Sequence, residues 1–287
     1  MTIDIDIISC ISERFNALRD AEKKVAKLIM DDLAMSANAS ITQLAEQAGV
    51  SEATITRFAK AVGCKNVRDL KIKLAQSLAV GQRFIHEPMD NTGVQGIYES
   101  IKQSMDLNRK LLNEDDIRTA VEWLHGARQI ISIGMGGGST MVAQEFQNRT
   151  FRLGYAVVSY SDGLQARMVA STADSNDVLV VMSVTGFTPT IIETAEIAKQ
   201  YGVKIISITS ADSPLAKVSD LVLPIVTKET DFIYKPSASR YAMLAMVDVI
   251  AMELAVSHKR RSRDRLRRLK LALDSHRGGV DRQPLGD

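Results

Sequence analysis

The chain has 287 residues, 45% hydrophobic and 24% charged, with a formal net charge of +2, which suits a soluble globular protein of one large or two ordinary domains. No apolar run approaches the ~18 residues of a membrane span, and the opening M-T-I-D-I-D lacks the basic end and apolar centre of a secretion signal. Cys10 and Cys64 stand far apart with no C-x-x-C pair, which argues for a reducing compartment and against a disulfide framework or structural zinc.

Residues 7–35 place Ile8, Ile11, Phe15, Leu18, Val25, Leu28 and Ile29 at helical spacing. The stretch 18–22 divides them into two helices, with Asp20 as the cap of the second. Ser40 is placed to cap a helix over 41–48, with Gln43 reaching back as in a capping box, and Gly49 ends it. Ser51 caps a second helix over 52–62, which Gly63 ends. Two helices joined by a tight glycine turn follow the helix-turn-helix plan, with Leu44, Ala45, Val50, Ile55 and Phe58 as a small shared core. Candidate DNA contacts are Ser51, Glu52, Thr54, Thr56, Arg57 and Lys60. From Thr54 to Lys73 six basic residues stand against one acidic, and Lys65, Arg68, Lys71 and Lys73 are placed for phosphates. The bland alternative is a tight corner in an ordinary helical bundle.

An amphipathic helix over 67–79 closes a helical domain over 1–79. Residues 80–96, with Gly81, Pro88, Asn91, Gly93 and Gly96, read as a linker. Helices over 97–112 and 115–125 then lead into an alternation of short β-branched runs and helical runs. The predicted strands are 130–133, 156–160, 178–182, 204–209 and 221–225, and the helices between them 139–153, 162–171, 189–201 and 214–218. That alternation argues a doubly wound parallel sheet, flavodoxin-like, over 97–258. A long helix over 239–256 precedes a basic helix and tail over 259–287, whose Leu266, Leu269 and Leu273 make an apolar stripe. The stripe suits a packed helix that supplies oligomer contacts; the alternative is a helix along a DNA backbone or one merely solvated.

The organising stretch is the run from Val178 to Met182, apolar throughout and suited to a strand buried on both faces. It ends in Ser183-Val184-Thr185-Gly186-Phe187-Thr188, and Pro189 fits the first turn of the next helix. Free backbone N–H groups, the helix dipole and neutral hydroxyls make such a loop a phosphate cradle. The alternative is a plain turn whose Thr188 caps a helix. The earlier loop Gly134-Met135-Gly136-Gly137-Gly138-Ser139 is not a clean G-x-G-x-x-G, and Asp162, past the second strand, reads as a helix cap. Both loops emerge at one edge of a parallel sheet, so Ser139, Ser183, Thr185 and Thr188 converge, with hydroxyls of Thr209 and Ser210 on the same side. The cluster shows no cation, which suits reversible binding of a sugar phosphate more than phosphoryl transfer. The sequence carries no Walker lysine, nucleophile elbow or metal-ligand motif, and His86, His125, His258 and His276 read as surface residues. No cofactor is expected.

Carried by V-S-E-A-T-I-T-R-F-A-K-A-V-G from Val50, the glycine loop at Gly134, S-V-T-G-F-T at Ser183, I-T-S-A-D-S-P-L-A from Ile208 and E-T-D-F-I-Y-K-P-S-A-S-R from Glu229, the chain resembles the RpiR family of bacterial transcriptional regulators over nearly its whole length. Within that family it is most like the HexR-type branch. The resemblance implies a cytoplasmic, homo-oligomeric (dimeric or tetrameric) regulator, commonly a repressor, of sugar or sugar-acid catabolic genes. Its partners would be a double-stranded DNA operator and a phosphorylated sugar or sugar acid held in a sugar isomerase (SIS) domain. It carries effector roles onto Ser183, Thr185, Gly186 and Thr188, onto Ser210, and onto either Gly138 or Ser139, since the glycine loop is one residue longer than the family's G-x-G-x-S. Phe187 departs from the arginine frequent in that branch, which implies a different effector. The rival reading is a sugar-phosphate isomerase with an appended helical domain. Its acid/base would be Glu229, a residue that in regulators of this family more often shapes the effector pocket.

Overall fold

A computed structural model describes residues 6–85, 93–228 and 237–276, which form two compact units, one on each side of residues 86–92. The amino-terminal unit is helical: α1 (Ile7–Arg14), α2 (Asp20–Asp31), α3 (Leu33–Asn38), α4 (Ile41–Ala48), α5 (Glu52–Ala61) and α6 (Val67–Ile85). Its core joins Ile11, Val25, Ile29, Leu44, Ile55, Phe58, Leu70 and Leu74, all fully buried. Each such side chain stabilises the unit by roughly 1.5–3 kcal/mol.

Three departures from expectation have local causes. Asp20 begins α2 instead of capping it; the cap position falls to Arg19, whose backbone N–H donates to Glu22 Oε2 at 3.0 Å. A further helix, α3, follows, with Asp32 accepting from the Met35 N–H at 2.8 Å. Fewer than two turns long, it offers too little sequence to display a period. The span expected as a linker is helical at both ends, since α6 reaches Ile85 and the next helix starts at Val94; residues 86–92 lie outside the described residues.

Lys71 is a fourth departure. Its ammonium donates to the carbonyls of Ser36 (3.2 Å), Ala37 and Ala39 at the end of α3, so it is a helix stop and not a phosphate contact. Burial pushes its pKa down. Positive charge at a helix carboxyl end satisfies carbonyls that have no intrahelical donor. Lys71→Met is expected to cost about 1.5–3 kcal/mol, the range for hydrogen bonds to a charged group. Calorimetry should show a lower melting transition for the amino-terminal unit; an unchanged transition would mean that water replaces the ammonium without loss.

The second unit contains, in order, α7 (Val94–Arg109), α8 (Glu114–Gly126), β1 (Ile130–Gly134), α9 (Gly137–Phe151), β2 (Val157–Tyr160), α10 (Gly163–Thr172), β3 (Val178–Ser183), α11 (Pro189–Gln200), β4 (Lys204–Thr209), α12 (Pro214–Val218), β5 (Leu221–Pro224), α13 (Ser239–Ser257) and α14 (Lys259–His276). The sheet is all-parallel, in the order β2-β1-β3-β4-β5. Val178, Val180 and Met182 of β3 pack with residues of α8, α9 and α13 on one face. Leu179 and Val181 pack with residues of α10, α11 and α12 on the other. Burial on both faces is why β3 reads as an unbroken apolar run. The chain reverses its direction of travel between β1 and β3, where Gly134 lies in register with Met182. Ligands of open α/β sheets bind beyond the strand ends at such a switch point.

The amino edge of the sheet is pinned by charge. Asp177, with a fully buried side chain, accepts from Arg128 Nε at 2.9 Å and Nη2 at 2.7 Å, and from the Asp174 N–H at 3.0 Å. At the far end α14 turns by 108° from α13, and no single described helix is long and apolar enough to cross a membrane. Leu266 of α14 packs on the core and Ser262 is buried. His125 and His258 are not separate surface histidines: half-buried, their rings stack at 3.2 Å between centroids. His125 Nδ1 also lies 3.1 Å from the Tyr155 hydroxyl. Burial, then the neighbouring His258 and Arg261, push the His125 pKa down.

Candidate nucleic-acid interface and ligand cleft

α4 and α5 are capped as their sequence requires. Ser40 Oγ accepts from the Gln43 N–H at 3.2 Å while Gln43 Oε1 accepts from the Ser40 N–H at 2.7 Å. Gly49, at φ 61° and ψ 44°, takes the left-handed conformation that ends α4. Ser51 Oγ accepts from the Thr54 N–H at 3.3 Å and so starts α5.

The faces of α5 divide clearly. Ile55, Phe58 and Ala59 are buried, whereas Ser51, Glu52, Arg57 and Lys60 are exposed and Thr56 is half-buried. Thr54, expected among the DNA contacts, is buried instead. Its Oγ1 lies 3.0 Å from Ser51 Oγ and accepts from Arg57 Nη2 at 3.1 Å. It therefore sets the direction of Arg57 without presenting a face of its own. Helical spacing placed it wrongly because its small polar side chain sits at the border of the two faces. Glu52 Oε1 accepts from Thr42 Oγ1 at 2.5 Å, which ties the start of α5 to α4. An outward row of Arg57 and Lys60 beyond a capped amino end is the form in which a recognition helix meets a major groove.

The second site lies at the switch point of the sheet. Gly136, at φ 82°, precedes the first turn of α9, and side chains added at Gly136 or Gly137 would meet open space. The first-turn N–H groups of α9 have no intrahelical acceptors and carry the positive end of its dipole. A cleft of about 150 Å³ opens there, lined by Met135, Gly136, Gly137, Gly138, Ser139, Val184, Ser237, Ser239, Arg240 and Met243. Gly138 and Ser139, both expected in the site, line it.

The β3–α11 loop stands beside the cleft, with its hydroxyls in unequal roles. Ser183 is buried and its Oγ accepts from the Gly186 N–H at 3.2 Å, so it braces the loop. Gly186, at φ 68°, is irreplaceable for a spatial reason: a Cβ there would lie 2.2 Å from Ser213 Oγ and 2.5 Å from Thr209 Oγ1. Thr185 is exposed, and Thr188 is half-buried at the cap position of α11 without a side-chain capping bond. Ser210, half-buried, donates its backbone N–H to Val184 O at 3.2 Å. Val184 is the member of this loop that lines the cleft; Glu229 lies outside the described residues.

The expectation of a cluster without a cation is corrected by Arg240. From the first turn of α13 it reaches the glycine turn, its Cβ 3.8 Å from where a Cβ on Gly138 would be, and its guanidinium rests 5.0 Å from the Tyr241 ring centroid. Only the fold brings α13 to β1. A signal did exist in the sequence: a cation in the first turn of a helix works against the helix dipole, a cost with no local return.

Comparison with known proteins agrees with this division. A model of the helix-turn-helix domain of the rpiR family matches residues 5–81, and a SIS domain model matches residues 123–253. The HTH-type transcriptional regulator HexR of Pseudomonas aeruginosa is 36% identical over 281 residues, covering 96% of this chain and 98% of its own. HexR of Escherichia coli is 32% identical over 278 residues, covering 95% and 96%. Among solved structures, the Vibrio vulnificus NanR protein complexed with ManNAc-6P shares the fold with a TM-score of 0.59 at 24% identity, covering 93% of this chain and 97% of its own.

Proposed function

Because the chain belongs to the RpiR family of transcriptional regulators, with a helix-turn-helix domain ahead of a SIS domain, we propose that it binds an operator through α5 and senses a phosphorylated sugar or sugar acid in the cleft at the end of β1. The observation that carries the sensing half is the meeting of the open glycine turn of α9 with Arg240. Backbone N–H groups of residues 137–139 and the Ser139 hydroxyl donate to the phosphoryl oxygens, and the guanidinium balances their charge. At about 150 Å³ the cleft takes the phosphoryl group and a few adjoining atoms. The rest of the sugar then extends along the β3–α11 loop, where Thr185 and Thr188 offer hydroxyls. The full-length relatives, regulators by name, support this reading over an isomerase.

Two experiments test the halves separately. Arg240→Ala removes a charge-assisted contact worth roughly 1.5–3 kcal/mol, so calorimetry against hexose phosphates, 6-phosphogluconate and 2-keto-3-deoxy-6-phosphogluconate should show about a ten- to hundredfold weaker effector. Because coupling is reciprocal, the same variant should answer poorly to effector yet bind DNA normally without it. Unchanged effector affinity would put the pocket elsewhere. For the DNA half, Arg57→Ala should cost about 1–3 kcal/mol of operator affinity and relax specificity at one position. A gel-shift titration indistinguishable from wild type would remove Arg57 from the interface. We take the working unit as a cytoplasmic dimer on an inverted repeat, acting as a repressor, since one short helix reads too few base pairs for useful specificity.

A further inference from the structure

α14 carries a surface that neither the operator-reading helix nor the effector cleft employs. Its inward face is occupied: Ser262 is buried, Leu266 packs on the sheet domain, and Leu269 and Leu273 are half-buried. Arg261 spends its guanidinium on that side as well, donating to Gly154 O at 2.9 Å and lying 4.6 Å from the Tyr155 ring centroid. Its outward face carries Lys259, Arg260, Arg263, Arg267 and Arg268, all exposed. Among the described residues none of these five has an ion-pair or hydrogen-bond partner. The acids on the helix do not neutralise them: Asp264 is a single exposed carboxylate, and Asp274 is held by Lys270 at 2.5 Å.

Lys259, Arg263 and Arg267 recur every four residues, so about 6 Å of helix separates each from the next and the row is about 12 Å long. Duplex DNA presents one phosphate charge per about 1.7 Å of axis, so such a row faces several phosphates at once. We propose that the outward face of α14 is a second DNA-backbone surface, which grips phosphates without reading sequence. The charge argues for a polyanion, and guanidinium groups suit phosphodiesters through paired N–H donors. An anionic membrane fits less well, because an interfacial helix needs a free apolar face and that of α14 is turned inward, with only Leu271 largely exposed.

The test uses the full chain carrying Arg263→Ser, Arg267→Ser and Arg268→Ser together, on a duplex without operator sequence. Affinity is followed across a salt series. The slope of log affinity against log salt should flatten by about 0.9 for each lost phosphate contact, or roughly 2–3 in all, with weaker binding at low salt. The corresponding triple lysine variant should keep the wild-type slope. The same difference should persist in an Arg57→Ala background, so loss of base reading by α5 and loss of this surface remain distinguishable. Thermal melting and sedimentation of the serine variant should match wild type. An unchanged slope would overturn the proposal. So would a lysine variant as weak as the serine one, a change traced to altered assembly, or binding to phosphatidylserine vesicles lost while DNA binding stays intact.

Discussion

Gly134→Ala is expected to abolish effector binding, by at least about a hundredfold or some 3 kcal/mol, while operator affinity without effector is retained. A Cβ at Gly134 would lie 2.1 Å from the Ser139 carbonyl oxygen and 2.6 Å from its carbon. Both are backbone atoms of the first turn of α9, so no side-chain rotation relieves the overlap. The turn has to lift from the end of β1, carrying with it the N–H groups of residues 137–139 and the Ser139 hydroxyl. It also breaks the bond from Thr140 Oγ1 to Gly134 O, now 3.1 Å long. An anion site built from oriented donors fails when they lose their common focus. Calorimetry with the effector and a gel shift without it provide the two readings; effector affinity within the wild-type range would show that the turn at β1 is not the phosphate site.

The second large effect concerns stability. Arg128→Ala strands the Asp177 carboxylate in a fully buried position with two hydrogen bonds fewer. Breaking a fully buried pair costs about 3–5 kcal/mol; here the guanidinium is half-exposed and water can enter where it stood, so the loss falls short of that range while still lowering the denaturation midpoint. Burial alone pushes the Asp177 pKa up, but donation from Arg128, the Asp174 N–H and Gln129 outweighs it and holds the carboxyl below its ordinary 3.8. A folded-state pKa below the unfolded one contributes stability that is present above the unfolded value and lost as pH falls through the folded one. The wild type should therefore lose stability on acidification below about pH 4, and Arg128→Ala should show a shallower fall there. Urea denaturation at neutral and acid pH measures both; equal midpoints at neutral pH would sink the account.

The two sites were legible to different depths. The helix-turn-helix could be seen because capping is local: Ser40, Gln43, Gly49 and Ser51 act within four residues of where they stand. The parallel sheet could be seen because burial on both faces leaves β3 without polar interruptions. Lys71, Thr54 and Arg240 could not be assigned in this way. Lys71 and Arg240 owe their roles to groups brought near only by the fold, the carbonyls ending α3 and the glycine turn of α9. Thr54 has local partners in Ser51 and Arg57 and is hidden by its place on the border between the two faces of α5. A basic stretch is read as phosphate-binding until something shows that a carbonyl cluster has claimed one of its members.

One helix near the end of the chain has a consequence for how the protein is made. Met243, Met246, Val247, Ile250 and Leu254 of α13 fill the same core as β1, β3, α8 and α9. On the ribosome the sheet therefore lacks one wall until residue 257 has emerged, long after the amino-terminal helices, whose own core draws on nothing later than Leu74 among its buried members. Arg240 arrives with that wall, so the cleft proposed for the effector is lined in full only as the sheet is covered. A nonsense codon in the stretch before α13 would release a chain with a finished DNA-reading head and an open, adhesive sheet. Such a product would lack both the finished cleft and the two helices that close the second unit, which leaves it a substrate for proteolysis.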